Sequence, residues 1–391
     1  MSSSPARSAS DPAAVAAALS DDGLLRVFVR PTGDAVAAAG LLARAAEARG
    51  TGFQVRPTRA ETAPSGDGTA VAVGWPAAET AALSPDGRPV SVAAAEAVRE
   101  AGGEPDPTLA LAGAVAAGVH PDAAGTTASQ QSDGTGALVE AAGRRDAVTR
   151  RPGVATPTAD LVDGLAHSTL LWLPTSGDEA ATRELLADLG ATEPGTGVDT
   201  ETNRRLASVV ALDATEGAPE TAVAAVERTL RPVVTDGPFE TVGGFADVLR
   251  ATARTDPGLA VALAVSPESV RGAALDAWRA HGRTVHALAA GAETARYDGV
   301  SVFRVDGADA TADPPAAAAL PTLCRLAAAY RAREATTLVV TDGAASVAST
   351  AHDATELLAP VAADPVGHPG LATATDTDAP QTVVETVRGA V

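Results

Sequence analysis

Three groups of residues carry side chains suited to chemistry. The first follows the apolar run Leu24–Arg30, where the turn Pro31-Thr32-Gly33 leads to Asp34 and sets Arg30, Thr32 and Asp34 close together. The carboxyl end of a parallel strand is where open α/β sheets place their ligands. A carboxylate in a first helical turn is favoured by the helix dipole, and it is also a ligand type that hard divalent ions accept. The second group is Gly367-His368-Pro369-Gly370. Glycines around a histidine let main-chain N–H groups come close to a phosphate. The third is the run 143–153, with Arg144, Arg145, Arg150 and Arg151. Guanidinium forks suit phosphates and carboxylates; the same arginines could instead pair with acidic neighbours on a solvated face, which is worth little per pair.

The elements that must position these groups follow from the apolar pattern. Strands are expected at 24–30, 52–59 and 69–75, with 90–92 (Val-Ser-Val) a possible fourth, and helices at 34–50 and 105–118. This alternation argues for a doubly wound parallel sheet. Residues 121–136 read as a polar loop and 200–234 as two helices. From 236 the pattern restarts: a helix, the apolar run 259–265 read as a strand, a helix, a strand at 299–307, a helix at 315–333, and a hairpin at 336–350 turning at Asp342-Gly343. A short helix, a strand at 371–377 and a closing helix complete it. The expected organisation is a disordered tail over 1–20, a parallel-sheet domain over 21–199, a helical connector over 200–235, and a smaller C-terminal α/β domain over 236–391.

Composition narrows the function classes. The chain has 391 residues, 49 acidic and 29 basic, a net charge of −20, and every basic residue is Arg. Apolar residues make up 46%, aromatics 3%, and the mean hydropathy is +0.09, so a core can be buried. The single Cys324 excludes a disulfide framework and a multi-cysteine metal site, and it reads as a buried thiol. No run reaches the roughly 18–20 apolar residues of a membrane span, and the first ten residues lack an apolar signal core, so a cytoplasmic location is expected. Abundant Asp and Glu without Lys suits a surface kept soluble in molar salt, as in salt-accumulating archaea, where screening acts within roughly 3 Å. His281 and His286 do not share a helix face; His120, His167 and His352 lack ligand-spaced partners; Trp172 and Trp278 read as core. Nucleotide-binding glycine motifs, Walker A, HExxH and GxSxG are absent from the sequence.

The first two groups resemble the signatures of the DHH phosphoesterases, the family of RecJ-like single-strand exonucleases. The family's first motif, His-x-Asp-x-Asp-[Gly/Ala] after a strand, matches Arg30, Thr32, Asp34 and Ala35, with Asp34 the surviving carboxylate. Gly367-His368-Pro369-Gly370 resembles the Gly-Gly-His-Pro signature of the domain that follows the DHH domain, with Leu371, Ala372 and Ala374 matching loosely. The preceding hairpin is similar to that domain's Ser-x-Arg segment, but reads Ser346-Val347-Ala348-Ser349. Where the family carries Asp-His-His this chain has Ala93-Ala94-Ala95; where it carries further aspartates the chain has Gly74-Trp75 and Ala117-Gly118, with Asp122 the nearest carboxylate. The resemblance implies a DHH-like N-terminal domain and a DHH-associated, nucleic-acid-binding C-terminal one. It also implies a role in DNA replication or repair, with single-stranded nucleic acid and replisome proteins such as GINS as partners and no membrane. Two-metal hydrolysis needs a set of carboxylates and histidines, so the expectation is a binding or scaffold subunit with a lost metal site and no cofactor. The alternatives are an active Mn- or Mg-dependent 5′–3′ exonuclease drawing ligands from Asp122, Asp163 or His167, and a small-molecule binder with an apolar pocket at the 30–34 turn.

Overall fold

The computed structural model describes residues 10–59, 66–77, 80–119, 134–144, 148–191, 199–230, 232–306, 316–363 and 365–391. They form two compact units. Unit 1 comprises residues up to 151, 155–158 and 232–277; unit 2 comprises 152–154, 159–231 and 278–391. Residues 236–277, grouped by sequence with the C-terminal portion, pack in unit 1, and residues 159–199 pack in unit 2.

Unit 1 is built on a parallel sheet of β1 (Leu25–Val29), β2 (Phe53–Pro57), β3 (Thr69–Val73) and β4 (Ala81–Leu83), in the order β2-β1-β3-β4. Its helices are α1 (Pro12–Leu19), α2 (Gly33–Ala48), α3 (Val90–Glu100), α4 (Pro107–Ala116) and α5 (Thr135–Arg144). A short pair, β5 (Val148–Arg150) with β6 (Val233–Thr235), is antiparallel. Then come α10 (Val242–Thr255) and α11 (Pro257–Val265), and α12 (Pro267–Gly291), within which the division between units falls. Between β5 and β6 unit 2 contributes α6 (Leu161–His167), α7 (Glu179–Asp188), α8 (Thr200–Thr215) and α9 (Thr221–Glu227).

The second sheet belongs to unit 2. It runs β11 (Val366–His368), β12 (Leu371–Thr375), β10 (Ala344–Ser349), β9 (Thr336–Thr341), β8 (Val300–Arg304), β7 (Glu293–Tyr297). Only β8 and β9 pair in parallel, and α13 (Ala316–Tyr330) connects them as a parallel pair requires. The hairpin β9–β10 turns at Asp342-Gly343, where Gly343 has φ +73°. Helices α14 (Ala354–Leu358) and α15 (Pro380–Ala390) pack with this sheet. The α/β class with a parallel N-terminal sheet, helices in the middle and a smaller C-terminal sheet domain is the one the sequence implied.

Four local expectations are corrected. Residues 12–19, assigned to a disordered tail, form α1: Asp11 accepts the Ala14 N–H, Pro12 occupies the first turn, and Val15, Ala16 and Leu19 are buried. Val90–Val92 is the first turn of α3, not a strand; the fourth strand is β4. The apolar run 259–265 lies in helix α11, because Asp256 accepts the Leu259 N–H and Pro257 starts the helix. The connector 200–235 ends in strand β6 rather than helix. Most of the loop expected at 121–136 lies outside the described residues. Among the described residues no helix is long and apolar enough to cross a membrane.

Small residues let the helices of unit 1 approach closely. A Cβ at Gly40 of α2 would stand 2.6 Å from the Ala264 Cβ and 2.7 Å from its carbonyl oxygen on α11. Backbone cannot yield as a flexible side-chain end can. Gly40→Ala is therefore expected to lower the unfolding free energy by about 1–3 kcal/mol. Gly272→Ala, on α12 with open space around the position, should raise it by about 0.5–1 kcal/mol. Urea unfolding of the two variants reads both signs.

Candidate functional site

The carboxyl ends of β1 and β3 are the place to build from. Arg30 leaves β1 with its N–H on the Val73 carbonyl oxygen at 2.9 Å. Thr32 is the N-cap of α2, its hydroxyl accepting the Ala35 N–H at 3.4 Å. Asp34 follows in the first turn and is buried. Its carboxylate turns to another helix: Oδ2 accepts the Val90 N–H at 2.7 Å and Oδ1 the Ser91 N–H at 2.9 Å. Helix α3 has Pro89 at its N-cap and no side-chain cap of its own, so Asp34 caps it from across the fold. Burial pushes the Asp34 carboxyl up to about 6, against the pull of Ser91 and of the Val90 N–H.

The surrounding positions are closed. Gly74 has φ +102°, and a Cβ there would stand 2.8 Å from the Arg30 Cβ and 3.2 Å from the Ala35 Cβ. A side chain at that strand end is thus excluded by its neighbours. Ala93, Ala94 and Ala95 have no exposed surface. At the end of α4, Arg250 of α10 donates Nε–H to the Ala116 carbonyl at 2.9 Å and Nη2–H to the Val115 carbonyl. A Cβ at Gly33 would meet the Ala116 Cβ at 2.9 Å. A guanidinium therefore sits at the helix end where the resemblance led one to look for an aspartate. Sequence reasoning missed Arg250, and nothing local to it announces a partner more than a hundred residues away.

Hard divalent ions need several oxygen donors. Here one carboxylate is engaged by two N–H groups, and alanine, glycine and arginine surround it. Among the described residues no group of three or more His, Cys, Asp or Glu could hold a metal ion. This donor set does not fit a two-metal centre. Asp122 lies outside the described residues. Asp163 and His167, the other alternative ligands, are brought together in unit 2, but with Arg279. Its Nε and Nη2 fork onto Asp163 Oδ1 and Oδ2 at 2.8 and 3.0 Å, while His167 Nδ1 lies 3.2 Å from Oδ1. Burial raises the Asp163 carboxyl, but the hydrogen bonds and charges of His167 and Arg279 outweigh it and hold the group well below the usual carboxylate range. His167 is itself buried edge-on to Trp278. An open depression of about 500 Å³ lies beside α1, β3 and β4, lined mainly by alanines with Asp21 and Thr69.

Gly367 and His368 end β11, and Pro369-Gly370 form the turn into β12. The Gly367 Cα faces the partner strand so closely that a Cβ would stand 2.2 Å from the Leu371 oxygen. The Gly370 N–H donates to His368 Nδ1 at 3.2 Å, and the Pro369 carbonyl accepts the Ala354 N–H at 2.7 Å. His368 is exposed. Asp353, whose carboxyl is lowered chiefly by the Thr355 hydroxyl, also feels the His368 charge. Ser346 is buried and donates to the Ala372 carbonyl at 3.0 Å. Of the arginine run, Arg144 ends α5 in an exposed pair with Glu140 at 3.7 Å, Arg150 ends β5, and the Arg151 N–H donates to the Pro232 carbonyl; Arg145 lies outside the described residues. Cys324 is fully buried, and burial pushes its thiol up to about 12.

Residues 292–389 match the family described as uncharacterized protein rrnAC1427, C-terminal domain. Over 372 residues the chain is 41% identical to the uncharacterized protein rrnAC1427 of Haloarcula marismortui, spanning 92% of this chain and 91% of that one. Among solved structures it is similar to CDC45 from Entamoeba histolytica, with a TM-score of 0.57 and 11% identity over 96% of each chain. It is also similar to exonuclease RecJ bound to manganese, with a TM-score of 0.50 and 14% identity over 99% of this chain and 96% of that one. RecJ from Thermus thermophilus in complex with Mn2+ gives 0.52 and 14%, over 99% and 56%. At such identities the likeness is one of fold.

Asp34 sets a pH dependence. Its carboxyl titrates near 6 folded against 3.8 for the free group, so the folded state holds more protons between these values. Its contribution to stability is full below pH 3.8 and is lost as pH rises through about 6. The fall should be on the order of 3 kcal/mol. Asp34→Ala should remove that slope and cost about 1–3 kcal/mol at neutral pH by orphaning two buried N–H groups. Urea unfolding at pH 4, 5, 6 and 7 measures both, and parallel profiles for the two proteins would contradict this assignment.

Proposed function

Since the chain belongs to the family of the Haloarcula protein rrnAC1427 and carries a RecJ-like fold, we propose that it is a non-catalytic DHH-type protein of DNA replication or repair. It acts as a nucleic-acid-binding or scaffold subunit. Single-stranded nucleic acid and replisome proteins such as GINS are the partners the resemblance implies. One observation carries the non-catalytic half: both oxygens of Asp34, the surviving motif carboxylate, serve the N-terminus of α3. The Arg250 guanidinium on the end of α4 supports it, since a fixed cation there repels a divalent ion. The salt-adapted composition and the Haloarcula relative are consistent with a halophilic archaeal setting.

The test is a nuclease assay in molar KCl with Mn2+, on end-labelled single-stranded DNA and RNA. Both substrates are expected to stay at full length with the wild-type chain. Progressive shortening that Asp34→Ala abolishes would overturn the proposal and point to an active exonuclease.

A further inference from the structure

Unit 2 holds a group of arginines that none of the motifs accounts for. They gather at the carboxyl end of α13. Arg325 donates from Nη2 to the Thr169 carbonyl at 2.8 Å, and the Tyr330 hydroxyl donates to the Leu170 carbonyl at 2.9 Å. Arg331, the next residue, lies over the indole of Trp172, 5.0 Å from the ring centre. Helix α9 packs on the same end: the Thr221 hydroxyl donates to the Ala329 carbonyl at 3.0 Å, and Arg333 reaches the Gly217 carbonyl at 3.1 Å. Arg228 ends α9. Burial pushes the Tyr330 hydroxyl up to about 12, and the charges of Arg325 and Arg228 pull it back.

Among the described residues no carboxylate lies within 4.0 Å of Arg228, Arg331 or Arg333. Glu334, the immediate neighbour of Arg333, is engaged by Arg296. Glu216, Glu220 and Glu227 are near in sequence and pair with none of the three. Arg228 and Arg333 are exposed, and Arg331 is half-buried. Trp75 and Trp278 are buried, at 1% and 0% exposure, whereas Trp172, read as core from sequence, keeps an accessible part.

We propose that this surface of unit 2 binds single-stranded nucleic acid, the Trp172–Arg331 stack taking a base and Arg228 and Arg333 taking neighbouring phosphates. It rests on the nucleic-acid reading above and gives that reading a place. Bases stack on aromatic and guanidinium planes whatever their sequence, and guanidinium forks match phosphate oxygens. In concentrated salt the long-range field is screened, while stacking and close contact persist. An acidic peptide would use the charges and leave the aromatic plane idle.

The experiment follows tryptophan emission as an oligothymidylate of about 12 nucleotides is added at several KCl concentrations, with anisotropy of a labelled oligonucleotide alongside. Saturable quenching is expected in the wild type, and none in Trp172→Phe. The double variant Arg228→Ala/Arg333→Ala, at exposed positions that leave the core intact, should bind about tenfold more weakly. Arg144→Ala/Arg150→Ala/Arg151→Ala should bind as the wild type does, and polyglutamate should not compete. If the oligonucleotide binds and the Trp172 and Arg228/Arg333 variants behave as the wild type, this surface is wrong and the nucleic-acid reading stands. If the wild type binds neither oligothymidylate nor an RNA of equal length, that reading falls and the surface with it. Displacement by polyglutamate would make this an acidic-peptide surface and overturn the proposal.

Discussion

The grip of Asp34 on the amino end of α3 fixes the carboxyl edge of the parallel sheet. A lone carboxylate in an apolar interior is costly. This one is tolerated because two N–H groups and the positive end of a helix dipole face it. The consequence is geometric. With α3 held on α2 in this way, a Cβ at Gly113 would stand 2.5 Å from the Ser91 Cβ and 2.7 Å from the Ala37 Cβ, so α2, α3 and α4 meet with no space between them. Arg250 is the mirror image at the other polarity, a cation on the last carbonyls of α4. Each charge is matched to a helix end by sign, so the electrostatics of the edge close without an added ion.

The same closure follows from composition. Aromatics are only 3% of the chain, and much of the interior of unit 1 is alanine and valine. Cores of small side chains bring helix axes together, and burial then has to come from many short contacts. Where the family resemblance calls for charged ligands, at 74, 93–95 and 117–118, the chain has glycine and alanine, and at 74 and 93–95 these are also the residues that close packing demands. Close packing and the small, uncharged side chains at 74 and 93–95 are one structural fact seen from two sides.

Much of the fold was legible because strand–helix alternation is written in local pattern. What escaped depended on contacts distant in sequence, or on a local signal outweighed by another. Helices α1, α4 and α11 each begin with Asp-Pro, the aspartate capping and the proline taking the first turn. The apolar pattern alone points to a helix over 105–118, whereas Asp11-Pro12 falls in the expected tail and the unbroken apolar run after Asp256-Pro257 looks alike as strand or buried helix. Val90-Ser91-Val92 alternates like a strand, yet its helix is secured by Asp34, 56 positions away from Val90. In unit 1 the sequence singled out Asp34, and in unit 2 the 367–370 turn, as separate candidates. It could not show that Asp34 faces N–H groups, or that Arg250 and Trp172 stand where they do.

The absence of lysine acquires a meaning beyond solubility once the arginines are placed. Arg250 caps carbonyls, Arg279 forks onto Asp163, and four others lie over rings: Arg26 over Phe28, Arg271 over Phe239, Arg331 over Trp172 and Arg388 over Tyr297, the last at 3.9 Å. Each use needs a planar, weakly hydrated cation with several fixed donors, which an ammonium is not. In molar salt a charge acts only at contact distance, so a cation that keeps its value there must also stack or fork. Under such screening a net charge of −20 would not by itself forbid an anionic partner, since repulsion across the solvent would fade and contacts with planes and forks would persist.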